Sequence, residues 1–431
     1  MVLSESRPLR LFSFFFLYFG QGLPVGISTV AIPAWLAANN APDAHVALIA
    51  GTAYLPWSFK PIPAFIMDRY AYLPMGRRRL WLILAMMMMF AAFALAAVFA
   101  PDVDDIGLLW WITFLLGAGA ATQDVAVDGL AVDILTEREQ GPASSFMFGG
   151  QTVGRAAAGA GAGTLLYLYG SQVAFLAFLP VIALLVIYAM VLRERPGEKR
   201  FPWNEGQTAP ENLERHVGNW VTILAVAIKS LFKRDSLVLI ASSVCQRTAE
   251  GILLPLFPIL AVSFLMYNEA SYSQTISTID FVMALAAIAI GSVLTVKIGA
   301  KWAAITVYAA QISFCAWIML GRESWTIGAL FIGLLAAQSV TITLSSICAN
   351  PLKMQLSDPR VAASQFTIYN SIGNLPVSFG SATVFVWLGG SDELGALMIA
   401  AIALLLTASV IMSFIRVGGP PSKAKPAPAL D

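Results

Sequence analysis

Apolar runs of about twenty residues recur along the whole chain, separated by short polar connections. A helix crossing the hydrocarbon of a bilayer needs about 20 mainly apolar residues. By that measure the chain offers about twelve crossings: 11–36, 45–67, 80–100, 107–135, 143–170, 172–192, 236–266, 272–296, 302–320, 325–350, 361–389 and 394–415. In lipid every backbone polar group needs a partner inside the protein, so runs of this length predict helices. The expected class is therefore an all-α membrane protein, with the lipid bilayer as its first partner. Composition agrees, since the 431 residues are 58% hydrophobic and 12% charged, against about 25% charged in soluble domains. A net charge of +1 supplies no basic face for nucleic acid. Three cysteines in apolar runs and two histidines in polar connections suggest neither a disulfide framework nor a metal site, and no cofactor is expected. After Arg7 and Arg10 the apolar run from Leu11 to Leu36 is too long for a cleaved signal and reads as the first crossing.

Charge orients the bundle. Lys and Arg concentrate at the N-terminus, in the 68–79 connection, in 193–235, and in the connections holding Lys297 and Lys301, Lys353 and Arg360, and Arg416. The alternate connections carry Asp43, then Asp102, Asp104 and Asp105, then Glu269, then Asp392 and Glu393, with Arg322 their one basic residue. This bias predicts cytoplasmic termini and a cell (inner) membrane location. The midpoint, 193–235, reads as a polar linker followed by an interfacial amphipathic helix, because Leu213, Val217, Trp220, Leu224, Ile228 and Leu231 recur at helical steps. It separates a six-helix bundle at 1–192 from a second at 236–416, and 417–431 reads as a disordered tail.

The halves echo each other. "QGLPVGISTVAIP" (21–33) and "QRTAEGILLPLFP" (246–258) share Gln, Gly-Ile and Pro at equal offsets, and "ASSF" (143–146) matches "ASQF" (363–366). Two six-helix pseudo-repeats resemble the major facilitator fold. The connection "DRYAYLPMGRRRLW" (68–81) resembles the facilitator loop signature, with a longer spacer and Ala64 where a glycine is usual. Its counterpart, "GSVLTVKIGAKW" (291–302), keeps Gly291, Gly299 and Lys301 but has Thr295 for the aspartate. Asp68, Arg69, Arg77 and Arg78, with Asp133, are candidates for a cytoplasmic latch that holds helix ends in one state and releases them in another. Simple topological charge bias is the competing reading of the arginines.

"QGLPVGI", "LPWSFKPIPAFIMDRY", "GRRRLW", "TQDVAVDGLA" and "GGQTVGR" together resemble the peptide and acetyl-coenzyme A transporter family, which includes AmpG-type muropeptide permeases. The resemblance covers mainly the first half. It implies a permease without enzymatic activity, acting as a monomer on a small, anionic solute such as a muropeptide or acetyl-coenzyme A-like compound.

Charged residues at membrane depth are costly, and by default they are functional candidates. At about 1.5 Å per residue, Lys60, Asp124 and Asp128 fall in the cytoplasmic half, Arg155, Arg247 and Glu250 near the middle, and Asp280 toward the outside. Asp124 and Asp128 share a helix face, whereas Asp133 lies on the opposite one. Asp124 and Asp128 are the candidates for proton coupling in a symporter, with Lys60 or Arg155 as charge partner. A permanent salt bridge is the structural alternative. Arg155 and Arg247 could clamp an anion from both halves, with Glu250, Gln21, Gln123, Gln151, Asn370 and Asn374 lining the same cavity. Alternatively, Arg247 and Glu250, three residues apart, pair with each other. The glycines of "GGQTVGRAAAGAGAG" (149–163) predict close helix packing and not a phosphate loop. A drug-type facilitator and a membrane sensor that binds without transporting are the alternative functions. No catalytic motif supports an enzyme.

Overall fold

A computed structural model describes residues 1–135, 137–214, 225, 228–229, 231–321, 327–356 and 362–416. Every described element is helical. In the first half, α1 (Arg7–Gly26) runs through a widened turn at Ile27–Ala31 into α2 (Ile32–Ala38). Then come α3 (Asp43–Thr52), α4 (Leu55–Ser58), α5 (Pro61–Arg69), α6 (Arg79–Phe99), α7 (Ile106–Ile134) and α8 (Glu137–Val191). A short α9 (Pro210–Glu214) leads to α10 (Arg234–Leu253), α11 (Leu256–Leu265), α12 (Glu269–Ile298), α13 (Ala300–Leu320) and α14 (Gly328–Leu356). The last elements are α15 (Ala362–Phe379), extended by a widened turn at Gly380–Phe385, and α16 (Leu394–Ser413).

Among the described residues nine helices, some of them joined elements, are long and apolar enough to cross a membrane. The difference from the sequence expectation has local causes. Pro56, Pro61 and Pro63 lack the N–H that a helix interior needs, and the 45–67 run is accordingly divided into α3, α4 and α5. The 143–170 and 172–192 runs form one continuous element, α8, broken at Gly170 (φ 77°, ψ −178°), a conformation that suits only glycine. The 361–389 run is interrupted by the widened turn after α15. Most of the amphipathic helix expected at 213–231, and the 417–431 tail, lie outside the described residues.

Glycine decides which helices touch. A Cβ on Gly22 would come within 2.7 Å of the Arg155 backbone nitrogen, and one on Gly26 within 2.8 Å of the Gly159 nitrogen. From the other side, Gly150 and Gly154 press on the Phe15 and Phe19 carbonyls. The α1 and α8 backbones are thus in direct contact, the close approach that small residues allow between helices in lipid. The second half repeats the device, with Gly251 of α10 against Val377 and Gly380 against Thr248. Further along α8, Gly159 meets Ser277 of α12 at 2.6 Å by the same measure, which brings the two halves together.

The polar stretch after α8 is folded onto the first half. Glu194 and Glu198 are each 1% exposed. The N-terminus is tied to the same stretch, with Leu3 N–H donating to the Arg193 carbonyl at 2.9 Å.

Gly154→Val should force α1 and α8 apart, at an overpacking cost of about 1–3 kcal/mol. Gly161→Ala, where a Cβ meets Phe178 at 3.8 Å, should be neutral. Fluorescence-detected size-exclusion thermostability on both variants checks this; equal melting temperatures would contradict the packing account.

Candidate functional site

Two cavities collect the buried charges. The first, of about 200 Å3, lies among α5, α7 and α15 and is lined by Lys60, Asp124, Asp128 and Asn370. Lys60 sits at the proline-made break before Pro61, so its side chain leaves the helix line toward α7. Its ammonium is ion-paired with the Asp124 carboxylate and lies 4.4 Å from the Trp57 ring centroid, a cation–π distance. Gln21 Nε2 donates to the other Asp124 oxygen at 2.6 Å, and Gln151 donates in turn to the Gln21 side-chain oxygen. One turn along α7, Asp128 accepts a hydrogen bond from the Tyr18 hydroxyl. Gln123, the neighbour of Asp124, turns away and donates to the Leu17 carbonyl at 3.0 Å.

The second cavity, of about 300 Å3, has walls from both halves: Tyr54, Gln151 and Arg155 from the first, Arg247, Glu250 and Asp280 from the second. Arg155 does not reach Asp124 or Asp128; its guanidinium donates across the halves to Asp280 at 2.7 Å. The reason is helical phase. Gly154 lies against α1, so the next residue, turned by about 100°, faces α12. The α8 residue that communicates with Asp124 is Gln151, one turn earlier. Arg247 holds Glu250 through two hydrogen bonds of 2.8 and 2.7 Å, and also donates to the Gly373 carbonyl at 3.0 Å and to Asn374 Oδ1 at 3.1 Å. Asn370 is turned the other way, accepting from Lys353 at 2.7 Å. The two central guanidiniums are therefore already paired with carboxylates and are not a free anion clamp.

The third cluster lies at the end bearing the chain termini. Arg77 and Arg78 reach Asp133 at 3.3 and 3.4 Å. Arg69 is exposed beside the Tyr70 ring, and the Asp68 side chain lies outside the described part. Sequence reasoning passed over Glu194, whose carboxylate accepts from the backbone N–H of Arg77, Arg78 and Arg79 at 2.8, 2.7 and 2.8 Å. Those are orphan donors at the start of α6. Gly76 (φ 102°) lets the chain curl around this carboxylate, since a Cβ there would fall 2.6 Å from Glu194 Oε1. Arg79 completes the cluster by donating to the Lys199 and Arg200 carbonyls at 2.8 and 2.7 Å. The signal available in the sequence was an acid, in a strongly basic connection, directly after the last crossing of the first half. In the second half Lys301 instead donates to the Ser413 and Ile415 carbonyls at 2.7 and 2.9 Å, holding the end of α16.

Comparison with known proteins gives a consistent assignment. The sequence profile of the Major Facilitator Superfamily matches residues 14–381. The Putative transporter AmpG 4 of Rickettsia felis is 25% identical over 401 residues, covering 90% of this chain and 87% of that protein. The Anhydromuropeptide permease of Escherichia coli is 26% identical over 165 residues, which is 36% of this chain and 32% of that one. Among solved structures, a POT family transporter in complex with 5-aminolevulinic acid superposes with a TM-score of 0.68 at 12% identity, covering 94% of this chain and 96% of that chain.

Burial, with Glu198 nearby, pushes the Glu194 carboxyl up to about 7. A carboxyl raised on folding binds more protons in the folded than in the unfolded state between its ordinary value and the raised one. Its stability contribution is therefore full below the ordinary range and is lost as pH rises through about 7. Melting temperature measured from pH 5 to 8 should fall less steeply for Glu194→Gln than for the unaltered chain. Glu194→Ala, which uncaps α6, should cost about 1 kcal/mol.

Proposed function

The chain belongs to the Major Facilitator Superfamily, and on that premise we propose that it is a proton-coupled secondary transporter importing a carboxylate-bearing, peptide-linked solute. The observation that carries the reading is a connected path of polar groups between the two cavities. Asp124 and Asp128 line one, Gln151 and the charges of both halves line the other, and the Gln21–Gln151 pair joins them. Asp124 is ion-paired with Lys60. Asp128 has a neutral phenol as its partner and opens on the cavity, so it is the group we assign to proton uptake. A solute that engages Gln151 shifts Gln21 and, through it, Asp124. The two acids are one turn apart on α7, so a shift of Asp124 changes the field at Asp128.

The remaining architecture follows the same reading. Twelve crossings result when α3–α5, the two legs of α8 about Gly170, and α15 with its extension each count as crossings. The bias of Lys and Arg sets both termini in the cytoplasm of a cell membrane. Residues 1–192 and 236–416 are the rocking halves, and 193–235 is the tether. Hydrogen bonds between the halves gather at the acidic end: Ser391 N–H to Asp43 Oδ2 at 2.7 Å, Ser381 Oγ to the Ala47 carbonyl at 2.7 Å, and Gln274 Nε2 to Thr164 Oγ1 at 2.9 Å. They support a conformer closed on the outside. The Arg77–Arg78–Asp133 cluster with Glu194 is then the cytoplasmic latch within the first half. The likeness to proteins named as AmpG-type transporter and anhydromuropeptide permease supports a muropeptide-type solute.

Uptake of a labelled anhydromuropeptide into proteoliposomes under an inward proton gradient tests this. The unaltered chain should accumulate it. Asp128→Asn should lose gradient-driven accumulation by about tenfold or more while still exchanging solute, and Lys60→Met should impair both by exposing a buried, unpaired Asp124. Full gradient-driven uptake in both Asp124→Asn and Asp128→Asn would reject the proton role.

A further inference from the structure

Taking the central cavity, as above, to be the solute site, we infer that the transported solute is amphoteric: it carries an ammonium as well as a carboxylate, and both are received by the Arg155–Asp280 pair. Two ion pairs face this cavity, and they are built differently. Arg247–Glu250 is closed. It lies within one helix, is doubly hydrogen-bonded, is held further by bonds from Arg247 to Gly373 and Asn374, and leaves the Glu250 side chain 3% exposed. Arg155–Asp280 is open. One hydrogen bond joins it across the two halves, and the side chains are 39% and 18% exposed. The Arg155 Nε is buried without a hydrogen-bond partner. A planar guanidinium that is partly exposed to a cavity and held by a single hydrogen bond suits the two oxygens of a carboxylate.

Charge accounting then selects the solute. A carboxylate that takes Arg155 displaces Asp280, and a buried carboxylate stripped of its partner is costly. A solute that is only anionic would leave Asp280 unpaired next to a second negative charge. A solute that also carries an ammonium replaces both halves of the pair at once, with no net change of charge in the cavity. Its hydroxyl lining (Tyr54, Ser277, Ser339, Thr343) provides neutral partners for amide and hydroxyl groups between the two poles. Because Arg155 and Asp280 belong to opposite halves, the solute would also take over a link between them, which ties its binding to their relative motion.

Ligand-induced thermal stabilisation of the purified full-length protein tests the inference with three matched probes: alanyl-alanine, N-acetyl-alanyl-alanine, and alanyl-alanine amide. Alanyl-alanine should bind, and each blocked form should bind about tenfold more weakly or worse, the loss of one charge-assisted hydrogen bond. Asp280→Asn should abolish the preference for the free amine while keeping that for the free carboxyl. Asp280→Glu should retain both. The probe comparison on the unaltered chain decides the matter even if Asp280→Asn fails to fold. Equal or tighter binding of the N-acetyl form would overturn the inference in favour of a purely anionic solute. Stabilisation by none of the three would overturn it too. The transporter reading itself stands or falls separately, on the proteoliposome uptake.

Discussion

Direct backbone contact between α1 and α8 is the constraint on which the candidate site depends. Gly22 and Gly26 on one helix and Gly150 and Gly154 on the other remove the side chains that would hold them apart. In water such a contact would be a minor matter of packing. In lipid, where apolar side chains gain little by leaving the solvent, close van der Waals approach and polar links between helices are what hold a bundle together. The contact fixes the rotation of both helices. Gln21, next to Gly22, and Gln151, next to Gly150, can then bond each other and reach Asp124, while Arg155 is turned toward the other half. A small change in that interface would re-aim every polar group in the first half of the site.

Charges in the bundle are settled in three ways that differ in how easily they open. Lys60–Asp124 and Arg247–Glu250 are buried pairs reinforced by further hydrogen bonds. Arg155–Asp280 is joined across the halves by one hydrogen bond. Glu194 is matched by three backbone donors at the start of α6. A buried pair with all its donors used is costly to break, whereas a partly solvated one exchanges partners with a ligand or with water. On the transporter reading proposed above, both kinds have a use: fixed charges that keep each half rigid, and exchangeable ones where the halves meet.

The repeat signature shows how sequence and structure inform each other. The strings at 21–33 and 246–258 suggested duplicated halves, and their glycines are the residues that press on α8 and on the α15 extension. The charged side chains, by contrast, are not duplicated. Lys60, Asp124 and Asp128 line the cavity near the termini, and the corresponding region of the second half offers Lys353 and Asn370. Packing is repeated because both halves meet the same problem in lipid, while the charged groups differ between them.

The sequence by itself determined that the chain is helical and membrane-spanning, because runs of about twenty apolar residues admit little else. It also determined that Asp124 and Asp128 share a face and that Asp133 does not, since that follows from helical pitch alone. The tertiary structure decided the partners. Depth along a helix is readable from residue number, but rotation about its axis depends on which neighbour it leans on, and that is set by glycines such as Gly22 and Gly154 at the contact. Arg155 was thus a plausible partner for Asp128 by depth and is Asp280's partner by rotation. Glu194 could not be singled out, because its donors are backbone N–H groups more than a hundred residues earlier in the chain, and backbone donors leave no mark in a sequence.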